Sequence, residues 1–356
     1  MNQAAANAGK NRSSGTGRAL DGQSIFLGLA ALAVVAALVY LIVVSLPRTP
    51  PPVDDGAAAA ALTLADIPFN GERAYGYLKT LCDFGPRPSG SANMAKQQAW
   101  LIDHFTQLGA KVTRQEFKAR HPKTGEAVPL ANIIVEWHPE RKERLLLCTH
   151  YDTRPFPDND PNPRRRQGVF VGANDGASGT ALLCELGNDM KGLDVKYGVD
   201  FVLFDGEELV YDSERDPYFL GSDYFAREYV AHPPAYRYQA GVLLDMVGDA
   251  ELTLPQEKNG LVWRDTQPLV REIWTIAAQL KVKEFQARLG PDVRDDHLGL
   301  HDIAHIPTID IIDFDYPRPS VSRGYWHTEA DTPDKCSALS LAKVGWVMRE
   351  WLVRRK

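Results

Sequence analysis

Cysteine is sparse in this chain and shows no pairing pattern. Cys82, Cys148, Cys184 and Cys336 are scattered through 356 residues with no C-x-x-C spacing. That excludes a zinc knuckle and a dense disulfide framework, and leaves open one disulfide that the spacing does not place. No basic block interleaved with aromatics occurs, so nucleic acid is not an expected partner. No internal repeat is apparent. Net charge is mild, at -6, and charge content is ordinary. These values suit one large globular domain with an appendage and argue against a disordered or fibrous protein.

One stretch lacks charge altogether. Ile25 to Leu46 is an unbroken run rich in Leu, Val and Ala. At about 1.5 Å per residue it is long enough to cross a hydrocarbon core of roughly 30 Å. A buried core helix would not be so uniformly apolar. A signal peptide has a shorter apolar region and a small-residue cleavage site, whereas Pro47-Arg48-Thr49 and three prolines follow here. The run therefore reads as a single-pass anchor in the lipid bilayer. Lys10, Arg12 and Arg18 precede it; Arg48, Asp54 and Asp55 follow. The positive-inside bias places the N-terminus in the cytoplasm and the remainder outside. The expected organisation is a disordered cytoplasmic tail over residues 1–24, a transmembrane helix over 25–46, a Pro/Ala-rich linker over 47–61 and a globular domain over 62–356.

Within that domain, apolar strands alternate with amphipathic helices. Ser91 to Leu108 carries Trp100, Leu101, Phe105 and Leu108 at helical spacing. Lys111–Phe117, Asn132–Trp137, Arg144–Cys148, Val199–Phe204, Gly241–Leu244 and Thr308–Ile312 read as strands. Gly176–Met190 and Ser340–Val353 read as helices, the last with Leu341, Val344, Met348 and Trp351 on one face. The pattern predicts an α/β fold: a mixed, mostly parallel central sheet with helices on both faces.

Five blocks then stand out: Thr149-His150-Tyr151-Asp152, Asn174-Asp175-Gly176, Asp205-Gly206-Glu207-Glu208, Leu244-Asp245-Met246 and Trp326-His327-Thr328. Singly, each has a plain structural reading. A histidine often serves only as a hydrogen-bonded structural group, and an aspartate before a helix is often only its N-cap. Together they share a placement, because His150, Glu207, Glu208 and Asp245 follow strands and Asp175 opens a helix. In open α/β sheets, sites gather beyond the carboxyl ends of the strands. Neutral imidazole and carboxylate oxygen are the donors of a catalytic zinc that keeps a position open. The adjacent pair Glu207-Glu208 can divide the labour, one binding metal and the other moving protons.

In this order, His150-x-Asp152, Asn174-Asp175-Gly176, Asp205-Gly206-Glu207-Glu208, Asp245 and His327-Thr328 resemble the zinc-site blocks of the M28 peptidase superfamily, over roughly Glu72 to Lys356. Asp295-Asp296-His297, Trp326 directly before His327, and Gly221-Ser222 resemble its glutaminyl-peptide cyclotransferase branch. The resemblance implies one zinc on Asp175, Glu208 and His327. It implies Glu207 as proton shuttle, Asp245 and Asp295 as the acidic network beside it, and Trp326 as a pocket wall. The implied reaction is cyclisation of an N-terminal glutaminyl residue to pyroglutamyl with loss of ammonia, the substrates being peptide or protein N-termini.

The sequence also departs from that branch. Ser213 stands where animal enzymes have a second pocket tryptophan, and Asp310 where a histidine is expected. The loop from Asp313 to Tyr325 is longer, leaving Phe314 or Tyr316 to replace the usual pocket phenylalanine, and Cys148 and Cys184 are offset from the animal cysteine pair. The rival reading is a zinc aminopeptidase, in which His150 and Asp245 bind a second zinc bridged by Asp175. A third is a non-catalytic ectodomain on the same fold. The loop from Arg154 to Gln167, with four arginines, reads as a solvated excursion, or else as a rim selecting acidic peptides.

Overall fold

The computed structural model describes residues 61–314 and 324–355. Among them, no helix is long and apolar enough to cross a membrane. The run at 25–46, the tail before it, the linker up to residue 60 and Tyr316 lie outside the described residues.

A six-stranded mixed sheet organises the chain, with helices packed against both of its faces. In chain order the elements are α1 (Gly71–Asp83), α2 (Ala92–Gln107), β1 (Lys111–Arg120), β2 (Ala127–Trp137), β3 (Glu143–His150), α3 (Ala177–Asp189), β4 (Gly198–Phe204), α4 (Leu220–Ala231) and β5 (Arg237–Asp245). There follow β6 (Leu254–Gln256), α5 (Lys258–Val262), α6 (Gln267–Gln279), β7 (Phe285–Leu289), α7 (His297–Asp302), β8 (Thr308–Ile312) and α8 (Ala338–Arg354). Strand order is β1-β2-β4-β3-β5-β8, while β6 and β7 form a separate two-stranded parallel pair. The first two strands run antiparallel, and β4, β3, β5 and β8 are mutually parallel.

Alternation along the buried strands explains the layers. Leu145 and Leu147 of β3, Phe201 and Leu203 of β4, and Val242 and Leu244 of β5 meet the helices α1, α2, α3, α6 and α8 on one face. Their neighbours Leu146, Cys148, Val202, Phe204 and Leu243 meet α4 and α7 on the other. A strand buried on both faces is mostly apolar, which is why β3, β4 and β8 were visible as short hydrophobic runs despite Asp200 in β4 and Asp310 in β8.

The parallel strands finish level: His150 pairs with Phe204, and Asp245 with Ile312. Helix α3 lies across this line of ends, buried continuously from Ala177 to Gly187. It approaches so closely because Gly179 has no side chain. A Cβ there would fall 2.4 Å from the Leu244 carbonyl oxygen and 2.3 Å from Thr149 Oγ1. Gly176, with φ of 97°, turns the chain into the helix where only glycine is unstrained.

Two expectations are corrected. The β1–β2 hairpin pairs from Lys111 with Glu136 to Arg120 with Ala127, longer at the turn end than hydrophobicity indicates. There it is an edge ribbon held by backbone bonds, with an exposed strand whose charges guard the edge. Helices α1, α4 and α6 also lie outside the segments assigned from the pattern. Asn70 caps α1 by accepting from the Arg73 amide at 2.9 Å. All four cysteines are buried free thiols.

At the strand ends opposite to His150, Arg144 and Asp200 form a fully buried ion pair, and Tyr238 donates to Asp200 at 2.6 Å. Removing one partner leaves a buried charge uncompensated. Asp200→Ala is therefore expected to lower unfolding stability by about 3–5 kcal/mol in chemical denaturation.

Candidate active site

The strand ends deliver the site. His150 is the last residue of β3 and Asp245 the last of β5. After β4, Gly206 at φ of 83° turns the chain so that Glu207 and Glu208 follow in the loop. Asp175 comes from the residues just before α3. His327 comes from the segment ahead of α8 and takes φ of 53°. Phe219 and Met246, at φ of 60° and 47°, are likewise left-handed and border the same cavity.

Two buried triads share Asp175. Donor atoms of Asp175, Glu208 and His327 lie within 4.8 Å of one another, as do those of His150, Asp175 and Asp245. His327 Nε2 is 3.0 Å from Glu208 Oε1 and 3.3 Å from Asp175 Oδ2. His150 Nε2 is 3.1 Å from Asp245 Oδ1 and 3.2 Å from Asp175 Oδ1. Every candidate ligand of the sequence analysis thus converges on one point.

The surrounding chain fixes these groups. Asp331 accepts from the amides of Asn174 and Asp175 at 2.8 and 3.1 Å, and Asn174 Oδ1 accepts from Gly248 N at 2.8 Å. Asp152 accepts from the Glu208 amide at 3.0 Å. Beneath them, Asp205 accepts from Ser89, Gln98 and the Ala131 amide. Burial, then Asp152, pushes the Asp205 carboxyl up to about 7. Burial, then Asp175, pushes that of Asp331 up to about 8. Neither Asp331 nor Asp205 was identified as a support from the sequence. Such carboxylates are legible only from the amides that they meet.

Electrostatics separates the adjacent glutamates. Burial raises the carboxyl of Glu208, but Arg154 and His327 outweigh it and hold it down to about 2. Asp175 is likewise lowered, its two histidines overcoming burial. Glu207 is raised well above the usual range by burial and then by Glu208. Asp295 is raised by burial, Asp245 and Asp296, and Asp245 by burial against the pull of His150. Glu208 is thus a permanent anion suited to metal, while Glu207 and Asp295 readily hold a proton.

The donor set fits zinc. Imidazole nitrogens and carboxylate oxygens converge in a buried crevice, and Asp175 Oδ2 has no hydrogen-bond partner there. A cation offsets the crowding of Asp175, Glu208 and Asp245, which burial alone makes costly. The crevice opens into a cavity of about 430 Å³, walled by Trp326, Phe314, Met246, Val293, Ile312 and Tyr218. Trp326 meets Phe314 edge-on at 5.1 Å and lies over His327 at 3.9 Å. Phe314 lines this cavity beside Trp326, Tyr316 lies outside the described residues, and Ser213 lines the wall in place of a tryptophan.

A family model described as peptidase family M28 matches residues 132–352. The chain belongs to peptidase family M28. Glutaminyl-peptide cyclotransferase of Bos taurus is 24% identical over 249 residues, covering 63% of this chain and 65% of its own. The match therefore spans just under two thirds of that relative. Fimbriiglobus ruber glutaminyl cyclase superposes with TM-score 0.76 at 42% identity, covering 84% of this chain and 99% of its own. A Zn-dependent exopeptidase of Parabacteroides distasonis gives TM-score 0.74 at 32% identity, covering 81% and 99%. This M28 chain is glutaminyl-cyclase-like in sequence and fold, with zinc exopeptidases as near structural neighbours.

The reading of the 154–167 loop as solvated is corrected at one end. Arg164, Arg165 and Arg166 are exposed, but Arg154 is 2% exposed and donates to Glu208 Oε2 at 2.6 Å. A cluster of arginines reads as surface from composition, and a buried carboxylate partner does not show there.

The divided roles predict divided losses. Glu208→Gln and His327→Ala should purify with little zinc, whereas Glu207→Gln should keep the wild-type content in elemental analysis.

Proposed function

We propose that this chain is a zinc-dependent glutaminyl-peptide cyclotransferase, closing the N-terminal glutaminyl residue of peptides or proteins to pyroglutamyl with release of ammonia. The observation that carries this reading is the pairing of Glu207, whose carboxyl is pushed up by burial, with a small aromatic cavity bordered by Asp175, Glu208 and His327. The likeness to Fimbriiglobus ruber glutaminyl cyclase supports it.

Asp175, Glu208 and His327 would hold the zinc, which when bound would supply Lewis acidity toward the side-chain amide carbonyl. Glu207 accepts a proton from the attacking α-amine and returns it to the departing ammonia. Asp245 and Asp295 lie beside it, and the rise in the Asp295 carboxyl keeps a proton available there. Nucleophile and electrophile belong to one residue, so the cavity mainly has to hold the ring-closing conformer. Trp326 and Phe314 form the flat apolar wall for that purpose.

The one-zinc reading rests on the Asp175, Glu208 and His327 triad at the floor of the aromatic cavity. The second reading, a two-zinc aminopeptidase, rests on the His150, Asp175 and Asp245 triad and on the exopeptidase neighbour.

Incubation of a Gln-initiated peptide with the protein and mass spectrometry should show loss of ammonia; release of free glutamine would identify the peptidase. Glu207→Gln should lower turnover by about a hundredfold or more. The apolar run at 25–46 supports an extracytoplasmic catalytic domain on a single-pass anchor. Protease added to intact cells should then cleave the domain; protection until permeabilisation would reverse the orientation.

A further inference from the structure

Arg154 begins a short segment that touches both sides of the metal-ligand set. Its Nη1 donates to Glu208 Oε2 at 2.6 Å, and its Nε and Nη2 donate to the two oxygens of Asp158 at 2.9 and 3.1 Å. The guanidinium also reaches Tyr218, with Nη2 3.3 Å from the hydroxyl and the charge 5.6 Å from the ring centre. Asp158 in turn faces His327 Nδ1 at 3.4 Å. Asn159 donates its amide to the His327 carbonyl at 3.0 Å, and Asp160 accepts from the Glu329 amide at 3.2 Å.

We infer that Arg154 and Asp158 form a bracket that sets how Glu208 and His327 meet the metal. Resting on the zinc-dependent reading above, the inference concerns retention and coordination, beyond the reaction itself. Arg154 occupies Oε2 of Glu208 and leaves Oε1, the oxygen nearest His327, to face the ion. Asp158 faces His327 Nδ1 at 3.4 Å, and an Nδ1–H pointed at that carboxylate leaves the Nε2 lone pair for the ion. The Asn159 amide, donating to the His327 carbonyl, and the Asp160 carboxylate, accepting from the Glu329 amide, hold this segment with His327 at a φ that L-residues seldom adopt. The two ligands come from loops 119 positions apart, and the planar fork of one arginine fixes their spacing. Lysine, a point charge with no fork, cannot make both sets of bonds. Arg154 and Asp158 are positioning residues, since neither is required to touch substrate.

The test uses full-length purified protein. Zinc release to a chromophoric chelator is followed for wild type, Arg154→Gln, Arg154→Lys and Asp158→Asn. Release should be about tenfold to a hundredfold faster in Arg154→Gln and Asp158→Asn, with Arg154→Lys between them and wild type. With cobalt(II) in place of zinc, the visible spectrum of Arg154→Gln should change as Glu208 becomes free to offer both oxygens. A merely structural role would lower the melting temperature and leave the cobalt spectrum as in wild type. That outcome, or wild-type release rates in both neutral variants, would overturn the bracket. Should Arg154→Gln fail to fold, Asp158→Asn decides alone. Cyclisation of a Gln-initiated peptide by wild type tests the underlying function separately, so the two failures are distinguishable.

Discussion

Crowding of negative charge at the level ends of parallel strands is the constraint on which the rest of the structure depends. Asp175, Glu208 and Asp245 are buried within ligating distance of two imidazoles, and Glu207 and Asp295 line the same cavity. Such a group of carboxylates is tolerable only with compensating cations and donors. The fold supplies them in layers. His150 and His327 flank Asp175, Arg154 takes one oxygen of Glu208, and backbone amides are bound by Asp152 and Asp331. The small residues of α3 follow from the same demand, because Asp175 reaches the strand ends only if the helix behind it lies directly on them.

What was legible in the sequence follows from which interactions leave a local signature. The strands β3, β4 and β8 are buried on both faces, so their runs of Val, Ile, Leu and Phe announce them. His150, Glu208 and Asp245 were legible because each sits at or just past the end of such a run, whereas Asp175 and His327 were legible only through their local blocks, ahead of α3 and α8. The turn end of β1–β2 was not, since backbone pairing between polar edge residues carries no hydrophobic period. Helix α4 begins with Leu-Gly-Ser-Asp and buries mainly Gly221, Ser222, Phe225 and Ala226, too short a stripe to read. Arg154, Asp158 and Asp331 were missed as supports because their partners are distant in sequence. Only folding reveals that an arginine in a basic loop answers a glutamate in the loop after β4.

The candidate metal ligands and the departures from the cyclotransferase pattern occupy different parts of this molecule. The candidates His150, Glu208 and Asp245 stand at or just past strand ends, whose spacing the sheet sets. The departures gather around the aromatic cavity and behind it. Ser213 leaves one wall of the cavity without a tryptophan, and Phe314 approaches Trp326 from the long loop. Asp310 lies behind, on β8, buried with both oxygens unpaired and 3.9 Å from His297 Nδ1. A family can alter such loops and keep its reaction, because binding walls are replaceable in a way that ligand spacing is not.

Phe219, Met246 and His327 hold left-handed backbone without being glycine, and all three border the cavity. Each conformation costs on the order of 1–2 kcal/mol and persists only while its surroundings enforce it. Three of the six such residues among the described ones thus gather at a single rim, which has strain to release on letting go. Heat should open it as a local unit, ahead of the sheet, which has no comparable strain to release. Loss of the site and loss of the fold become two events. A warmed preparation will keep its far-ultraviolet circular dichroism for some time after its rim has ceased to enclose anything.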